Sequence, residues 1–183
     1  MSEKEASPPS VLTIGHSTRT LEEFITLLKA HGVRRVIDVR TVPRSRHNPQ
    51  FNRETLPSSL KPAEIDYTHM AGLGGLRRPH PNSSNTGLKN DSFRGFADYM
   101  QTREFETSLE ELIKLAKKER VALMCAEAVP WRCHRSLIAD VLVARGIPTE
   151  HIMCATRRDL HSIRPFAAVI DGVVSYPANK VDG

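Results

Sequence analysis

A length of 183 residues and an apolar content of 39% fit one globular domain with an ordinary hydrophobic core. No segment approaches the roughly 18–20 apolar residues of a membrane span, the N-terminus lacks the apolar core of a signal peptide, and three unevenly spaced cysteines do not form a disulfide framework. We therefore expect a cytoplasmic protein with reduced thiols, no membrane contact and no cofactor. The net charge of +5 favours an anionic small molecule or nucleic acid as partner, and no pattern indicates an oligomeric state.

The N-terminal part of the chain predicts a disordered tail followed by a strand–helix–strand unit. Residues 1–10 are polar and contain prolines, as is typical of a disordered segment. The apolar run Val11–Gly15 predicts a buried strand, and Thr20 with Glu23 forms a capping box at the start of an amphipathic helix. A second apolar run, Val33–Arg40, follows so soon that the two strands must be parallel and joined by a right-handed crossover.

Residues 41–92 predict a basic, loop-rich insertion. They are rich in Pro, Gly, Asn and Ser, with a short helix near Arg53–Leu60 and a strand at Ile65–His69. From Arg40 to Arg94 the chain has nine basic and four acidic residues, an excess equal to the net charge of the whole protein. Long insertions in compact domains are often functional, and a basic flap suits a phosphate-bearing ligand or nucleic acid, although a solvated surface loop is the alternative.

The C-terminal half predicts the remaining strands and helices. The turn pair Asp171–Gly172 suits a two-residue type I′ hairpin. The predicted elements, in chain order, are two amphipathic helical stretches in FRGFADYMQTREFETSLEELIKLAKKE, a core strand in RVALMC, a helix in CHRSLIADVLVARG, a strand in EHIM and a hairpin in FAAVIDGVVSYP. Together these elements predict one three-layer α/β domain over residues 11–183, with a mainly parallel central sheet of four or five strands.

Polar residues follow three of the predicted strands directly. Ligands of open α/β sheets bind beyond the carboxyl ends of parallel strands, so these residues are expected to share one site. The predicted substrate-binding residues lie at these ends or in the insertion: Gly15, His16, Ser17, Asp38, Arg40, Arg44, Arg46, Tyr67, Gly74, Gly75, Trp131, His134 and Arg135.

Cysteine chemistry is the leading functional hypothesis, with Cys125, Glu127 and Cys133 as the catalytic candidates. Cys125 is expected to act as nucleophile or essential polar group, because nearby arginines and a helix N-terminus lower a thiol pKa. Glu127 is the candidate acid/base, Arg135 and His16 would hold the anion, and Arg44 and Arg46 would close over it. This predicts a cysteine-dependent hydrolase or transferase acting on a nucleotide-like, phosphorylated or nucleic-acid substrate. The simpler alternative is that both cysteines are small buried residues.

Two further hypotheses remain open from the sequence. A metal site of Cys125, Cys133, His134 and His16 would need an unusual ligand spacing, because seven residues separate the cysteines and no second pair exists. A nucleic-acid-binding accessory module without catalysis would use the basic insertion, although few aromatic residues are present there for base stacking.

Four motifs in one order resemble the bacterial and archaeal family described as domain of unknown function 488. They are TIGHST, IDVRTVPRSR, YTHMAGLGG and MCAEAVPWRCHRSLIADVL, and the resemblance extends over roughly residues 11–152. The last motif is similar to the Cys-x-Glu…Cys-His-Arg signature of that family, which falls here on Cys125, Glu127, Cys133, His134 and Arg135. The resemblance implies a compact α/β domain and names no activity.

A more distant likeness is to rhodanese and cysteine-phosphatase domains. VIDVR looks like the strand before the rhodanese active site, and VALMC with RSLIADVLVARGI looks like its strand, cysteine loop and helix. Nine residues separate Cys125 from Arg135, where those domains close a much tighter loop. Sulfur or phosphoryl transfer is therefore implied by analogy alone.

Overall fold

A computed structural model describes residues 9–178, and a six-stranded sheet forms its centre. The strands in chain order are β1 (Val11–Gly15), β2 (Arg35–Asp38), β3 (Asp66–His69), β4 (Val121–Cys125), β5 (Thr149–Cys154) and β6 (Arg157–Leu160). They lie side by side in the order β3-β2-β4-β1-β5-β6, and all neighbours are parallel except β6, which runs antiparallel to β5. The prediction of a mainly parallel α/β sheet is confirmed. The tail predicted for residues 1–10 falls largely on residues 1–8, outside the described residues.

Within residues 9–178, five α-helices connect and cover the strands. They are α1 (Leu21–Ala30), α2 (Leu56–Leu60), α3 (Asp91–Tyr99), α4 (Arg103–Lys118) and α5 (Arg135–Ala144). The side chains of Thr20, Asn90 and Thr102 accept hydrogen bonds from the first-turn amides of α1, α3 and α4, which fixes where these helices begin. None of the helices in the described range combines the length and the apolar content that a membrane crossing requires.

Two hydrophobic clusters lie on opposite faces of the sheet and give the domain three layers. Alternate residues of a strand point to opposite faces, so Leu12 and Ile14 of β1 pack with α1, while Val11 packs with α4 and α5. In β4 the same alternation puts Leu123 and Cys125 on the α5 face. Cys125, the last residue of β4, therefore lies near the start of α5.

The basic insertion is held to the domain by a buried carboxylate. Asp98 of α3 accepts hydrogen bonds from the His80 amide (2.9 Å), the Ser83 hydroxyl (2.6 Å) and the Asn85 side-chain amide (2.7 Å). The carbonyl oxygen of the Asn85 side chain in turn accepts a hydrogen bond from the Tyr176 amide (2.9 Å). The insertion is therefore packed irregular backbone, interrupted by α2, β3 and short 3-10 turns.

The sheet has one strand more than the four or five expected. Strand β6 has the sequence RRDL, which offers no apolar alternation, and it pairs at the sheet edge where charged side chains stay in water. The predicted C-terminal hairpin is present as β7 (Ala168–Ile170) and β8 (Val173–Ser175). Asp171 and Gly172 both have positive φ, at 51° and 76°, as a type I′ turn requires.

Candidate active site

The carboxyl ends of β1, β2 and β4 lie next to one another. Gly15 at the end of β1 is in register with Cys125 at the end of β4, and Asp38 at the end of β2 is in register with Met124. Topology alone thus brings together residues that are up to 110 positions apart in the chain, such as Gly15 and Cys125. The site described below lies at this edge.

Two thiols are in direct contact at the end of β4. The Sγ atoms of Cys125 and Cys133 lie 2.7 Å apart, and the two residues are 3% and 6% exposed. A short 3-10 turn, Pro130–Arg132, folds the chain back and returns Cys133 to the strand end. The backbone amide of Arg135, in the first turn of α5, lies 3.5 Å from the Cys133 sulfur. Helix N-termini of this kind stabilise a thiolate.

A buried arginine faces the thiol pair. Arg135 is 1% exposed, and its guanidinium donates hydrogen bonds to the Cys125 sulfur, to the Glu127 carbonyl oxygen (2.6 Å), to the Ala128 carbonyl oxygen (3.3 Å) and to the Thr13 hydroxyl (3.3 Å). Within residues 9–178, no carboxylate lies within ion-pair distance of this guanidinium. Because a buried cation needs a counter-charge, the arrangement favours a thiolate in the thiol pair.

A histidine completes the surroundings of Cys133. The Nε2 atom of His134 lies 2.9 Å from the Val39 carbonyl oxygen and 3.0 Å from the Leu73 carbonyl oxygen, so it carries the proton and donates to both. Its Nδ1 atom lies 3.6 Å from the Cys133 sulfur. Gly75 permits this position, because a Cβ atom there would lie 2.5 Å from Nδ1. The Cys133 thiol can therefore transfer its proton to the His134 imidazole.

The two thiols differ in acidity. A hydrogen bond from Cys125, followed by His134 and the charge of Arg135, holds the pKa of the Cys133 thiol well below its usual range. Burial, and then the neighbouring Cys133 sulfur, raise the pKa of Cys125 well above its usual range. The sequence hypothesis placed the nucleophile first at Cys125; the contacts that distinguish Cys133 are His134 Nδ1 at 3.6 Å and the Arg135 amide at 3.5 Å from its sulfur, with the Cys125 thiol beside it.

A cavity of about 350 Å³ opens over the thiols. Its lining residues come from the strand ends, the insertion, α3 and the cysteine loop: Arg40, Thr41, Val42, Arg44, Gly75, Leu76, Ser92, Phe93, Cys125, Ala126, Glu127, Arg132, Cys133 and His134. Arg132 is exposed, and none of the described carboxylates pairs with it. Glu127 is exposed as well, and its carboxylate accepts the Val129 amide (3.0 Å). The cavity is thus bounded by cationic, acidic and apolar side chains.

Residues 20–142 match the family described as Domain of unknown function DUF488. The chain belongs to this family. The matched range covers more than half of the protein and includes the thiols, His134 and Arg135. No curated protein and no solved structure matches the chain.

Several residues of this DUF488 domain that were predicted to bind substrate form hydrogen bonds with one another. Asp38 is fully buried and accepts hydrogen bonds from Arg40 Nε (2.9 Å), Arg40 Nη2 (2.7 Å) and the Tyr67 hydroxyl. Burial and this bond to Asp38 raise the Tyr67 pKa. Arg40 also donates to the Phe51 carbonyl oxygen (2.6 Å). Asp38 and Tyr67 therefore brace the strand end, and Arg40 both braces it and lines the cavity.

His16 belongs to the same internal network. Its Nδ1 atom donates to the Ser17 carbonyl oxygen (2.8 Å), its Nε2 atom faces Arg40 (3.3 Å), and its ring stacks on Phe51 at 4.3 Å. Burial lowers the His16 pKa to about 4, so the ring is neutral at neutral pH. The predicted role of His16 in holding an anion therefore gains no support from this geometry.

The predicted glycines and Ser17 shape the loop behind the thiols. A Cβ atom on Gly15 would lie 1.9 Å from the Glu127 carbonyl oxygen, and one on Gly74 would lie 2.4 Å from the Thr41 hydroxyl. The Ser17 amide donates to the Ala126 carbonyl oxygen (2.9 Å). These residues set the path of the backbone around the site.

Three predicted residues lie at or beyond the cavity edge. Arg44 is exposed and pairs with Glu54 through Nε (3.0 Å), although it also lines the cavity. Arg46 is exposed and is not among the lining residues. Trp131 is 64% exposed and borders a separate surface cavity with His151.

One buried hydrogen-bond chain was not predicted from the sequence. Thr13, which accepts from Arg135, lies 2.6 Å from His151 Nδ1, and His151 Nε2 lies 2.9 Å from His161 Nδ1. His161 Nε2 lies 2.6 Å from Asp140, a fully buried carboxylate within the apolar helix α5. An aspartate within an otherwise apolar helix is a feature of the sequence that could have indicated this chain. Its hydrogen-bond partners, however, come from elements that are distant in the sequence.

The described residues offer no set of ligands for the metal site that the sequence left open. Within residues 9–178, no three His, Cys, Asp or Glu side chains are placed to hold a metal ion. Both ring nitrogens of His16 already face other partners, and His134 directs Nε2 to carbonyl oxygens.

Proposed function

We propose that this chain is an enzyme in which Cys133 attacks a small anionic substrate bound in the cavity over the thiols. The observation that supports this best is the position of the Cys133 sulfur, which lies 2.7 Å from the Cys125 sulfur and 3.6 Å from His134 Nδ1 at the cavity wall. A nucleophile beside a base that is itself oriented by further groups is the general arrangement of nucleophilic catalysis. Here the Val39 and Leu73 carbonyl oxygens orient the base.

Each polar group has a role in this proposal. His134 Nδ1 takes the proton of Cys133, and the two carbonyl oxygens at Nε2 stabilise the resulting imidazolium. Arg135 supplies the positive charge that keeps the sulfur pair anionic. Glu127, at the cavity wall, is the candidate acid or base for the leaving group.

The cavity supports a small anionic substrate with an apolar part. Its volume is within the range of small-molecule sites. Arg132 places positive charge at its mouth, the charge of Arg44 there is offset by Glu54, and apolar surface is offered by Val42, Leu76 and Phe93. A phosphorylated or nucleotide-like compound combines these two properties.

A nucleic-acid-binding role is the second candidate, and the exposed arginines of the insertion favour it. Arg46 and Arg78 are exposed and lie outside the cavity lining. If these residues bind phosphates of a nucleic acid, binding will weaken steeply with salt and will not depend on the thiols.

The test of the enzyme proposal is protection of a thiol by ligand. Iodoacetamide labelling of Cys133 is measured by peptide mass spectrometry with and without nucleoside monophosphates or inorganic phosphate, and turnover is screened with phosphate esters. Ligand protection of Cys133, together with loss of turnover in Cys133→Ser, supports the proposal. Full turnover in Cys133→Ser, or labelling of Cys133 no faster than that of an unstructured thiol, overturns it. Cys154→Ser is the matched control, because Cys154 is exposed and does not line this cavity.

A further inference from the structure

A hydrolase needs only one nucleophilic thiol, so the second cysteine of this site allows chemistry beyond stabilising the Cys133 thiolate. One thiolate suffices as a nucleophile, yet here a second sulfur lies 2.7 Å from the first, and both line the same cavity. Cys125 ends β4, and Cys133 lies between the Pro130–Arg132 turn and His134, the N-cap residue of α5. The two atoms can therefore approach to bonding distance with little movement of the backbone.

The charges around the pair favour exchange between the sulfurs. The Arg135 guanidinium contacts the Cys125 sulfur, and the Arg135 amide approaches the Cys133 sulfur. While Cys133 is a thiolate, burial and the Cys133 sulfur raise the pKa of Cys125; once Cys133 is bonded to a substrate sulfur it carries no charge, and the Arg135 guanidinium remains in contact with Cys125 to stabilise a thiolate there. A thiolate that can form on both sulfurs is what sequential attack by two cysteines requires.

We infer that Cys125 is a resolving thiol and that the site reduces small anionic disulfides by thiol–disulfide exchange. This inference rests on the proposed function, since it uses Cys133 as the nucleophile and Arg132 at the cavity mouth as the anion-recognising group. It names the substrate class as a small disulfide whose arms carry negative charge.

The electron and proton balance of the reaction is complete. Cys133 passes its proton to His134, and its sulfur bonds one substrate sulfur while the substrate S–S bond breaks. The first thiolate leaves with the proton from His134. Cys125 then bonds the Cys133 sulfur, the mixed disulfide breaks, and the second thiolate leaves with the Cys125 proton. The protein dithiol thus gives two electrons and two protons to the substrate, and an external dithiol reductant restores it.

The experiment mixes fully reduced protein with either of two probes, dithiodipropionate (anionic) or cystamine (cationic), and follows intact mass and released thiol. Cys154→Ser protein, which lacks the exposed third thiol, is expected to lose two hydrogens through a Cys125–Cys133 bond and to release two thiols for each protein molecule. Cys125→Ser is expected to stop at a mixed disulfide on Cys133. Wild-type protein is expected to form the same Cys125–Cys133 bond and, in addition, a mixed disulfide at the exposed Cys154 with release of one more thiol. Because a serine in this buried position can harm folding, Cys125→Ala is measured in parallel, and circular dichroism checks both variants.

The outcomes separate this inference from the proposed function. If wild-type protein accumulates a stable mixed disulfide on Cys133, Cys125 does not resolve it, and the inference fails while Cys133 remains the nucleophile. If Cys133 does not react with either probe or with iodoacetamide, both fail. A preference for the anionic probe that drops by roughly tenfold in Arg132→Glu confirms the substrate class, because charge at a cleft mouth acts on association rates over this range. An unchanged preference in Arg132→Glu overturns the recognition of anionic arms.

Discussion

The Nδ1 atom of His134 lies 3.6 Å from the Cys133 sulfur, and the opposite nitrogen of the same ring faces two backbone carbonyl oxygens. A ring held in this way can accept a proton from the thiol on one side and donate its own on the other. The carbonyl oxygens belong to Val39, just after β2, and to Leu73 in the insertion. The insertion therefore orients the base as well as forming a cavity wall.

The Cys133 thiol should ionise at a pH far below that at which an ordinary cysteine thiol ionises. Its lowered pKa keeps the thiolate populated as pH falls through neutrality, until the pH drops below that lowered value. Iodoacetamide should thus label Cys133 at about pH 6, more than two units below the usual thiol pKa of about 8.5. Cys125 should resist labelling there, because its pKa is raised. The measurement is labelling rate against pH for each cysteine peptide, and equal profiles for Cys125 and Cys133 would refute the assignment.

Removing the buried guanidinium should affect both chemistry and stability. Arg135→Met leaves the thiol pair without its positive neighbour, so the pH midpoint of Cys133 labelling should move upward. Loss of one partner from a buried pair costs about 3 kcal/mol of the free energy of unfolding, as urea denaturation would measure. Arg135→Lys is the matched control, since it keeps the charge and loses the planar fork of donors. An unchanged labelling profile in Arg135→Met would show that the guanidinium does not stabilise the thiolate.

A single methyl group at Gly75 should disturb the base without touching a cysteine. The added Cβ would lie 2.5 Å from His134 Nδ1, so the ring must leave its position beside Cys133. Gly75→Ala should slow Cys133 labelling near neutral pH. In a His134→Asn background the same change should add little, because the group it displaces is already absent. Additive effects of the two substitutions would mean that Gly75 acts on Cys133 by another route.

The features of the fold and of the site that could be predicted are those that depend on residues close together in the sequence. Thr20 with Glu23 marked the start of α1, Asp171 with Gly172 marked the hairpin turn, and the Cys133-His134-Arg135 run marked the site. These signals depend on neighbouring residues, which a sequence displays directly.

The parts set by tertiary packing could not be predicted in this way. His16 was expected to face an anion, but it stacks on Phe51 and bonds Arg40, partners that long-range packing brings to it. The lower pKa of Cys133 depends on its contacts with the Cys125 thiol and with the His134 side chain, and the spacing of these residues in the sequence shows neither contact.

The two neutral buried histidines should make the protein lose stability in mild acid. Burial lowers the pKa of both His16 and His151 from 6.5 to about 4. Between these values the unfolded chain binds protons that the folded protein does not, so the free energy of unfolding should fall as pH drops from about 6.5 to about 4. Carboxylates with lowered pKa, such as Asp98, act mainly below this window.

Urea denaturation at several pH values across that window measures the slope. His151→Asn should flatten the slope, because one of the two groups that change protonation on unfolding is gone. His47→Asn is the control, since His47 is exposed and its replacement should leave the slope as in wild type. A wild-type slope of zero between about pH 6.5 and pH 4 would show that these histidines bind protons equally in the folded and unfolded states.

The positive charge at the cavity mouth should decide which ligands reach Cys133. Arg132 lines the cavity and is exposed, whereas Arg46 is exposed and is not a lining residue. Arg132→Glu should therefore abolish protection of Cys133 from iodoacetamide by phosphate or a nucleoside monophosphate, and Arg46→Glu should leave that protection intact. If binding takes place instead across the basic insertion, Arg46→Glu will weaken association with single-stranded or duplex nucleic acid and reduce its salt dependence, with no change at Cys133. The same pair of variants thus distinguishes a small-molecule site over the thiols from a nucleic-acid surface beside it.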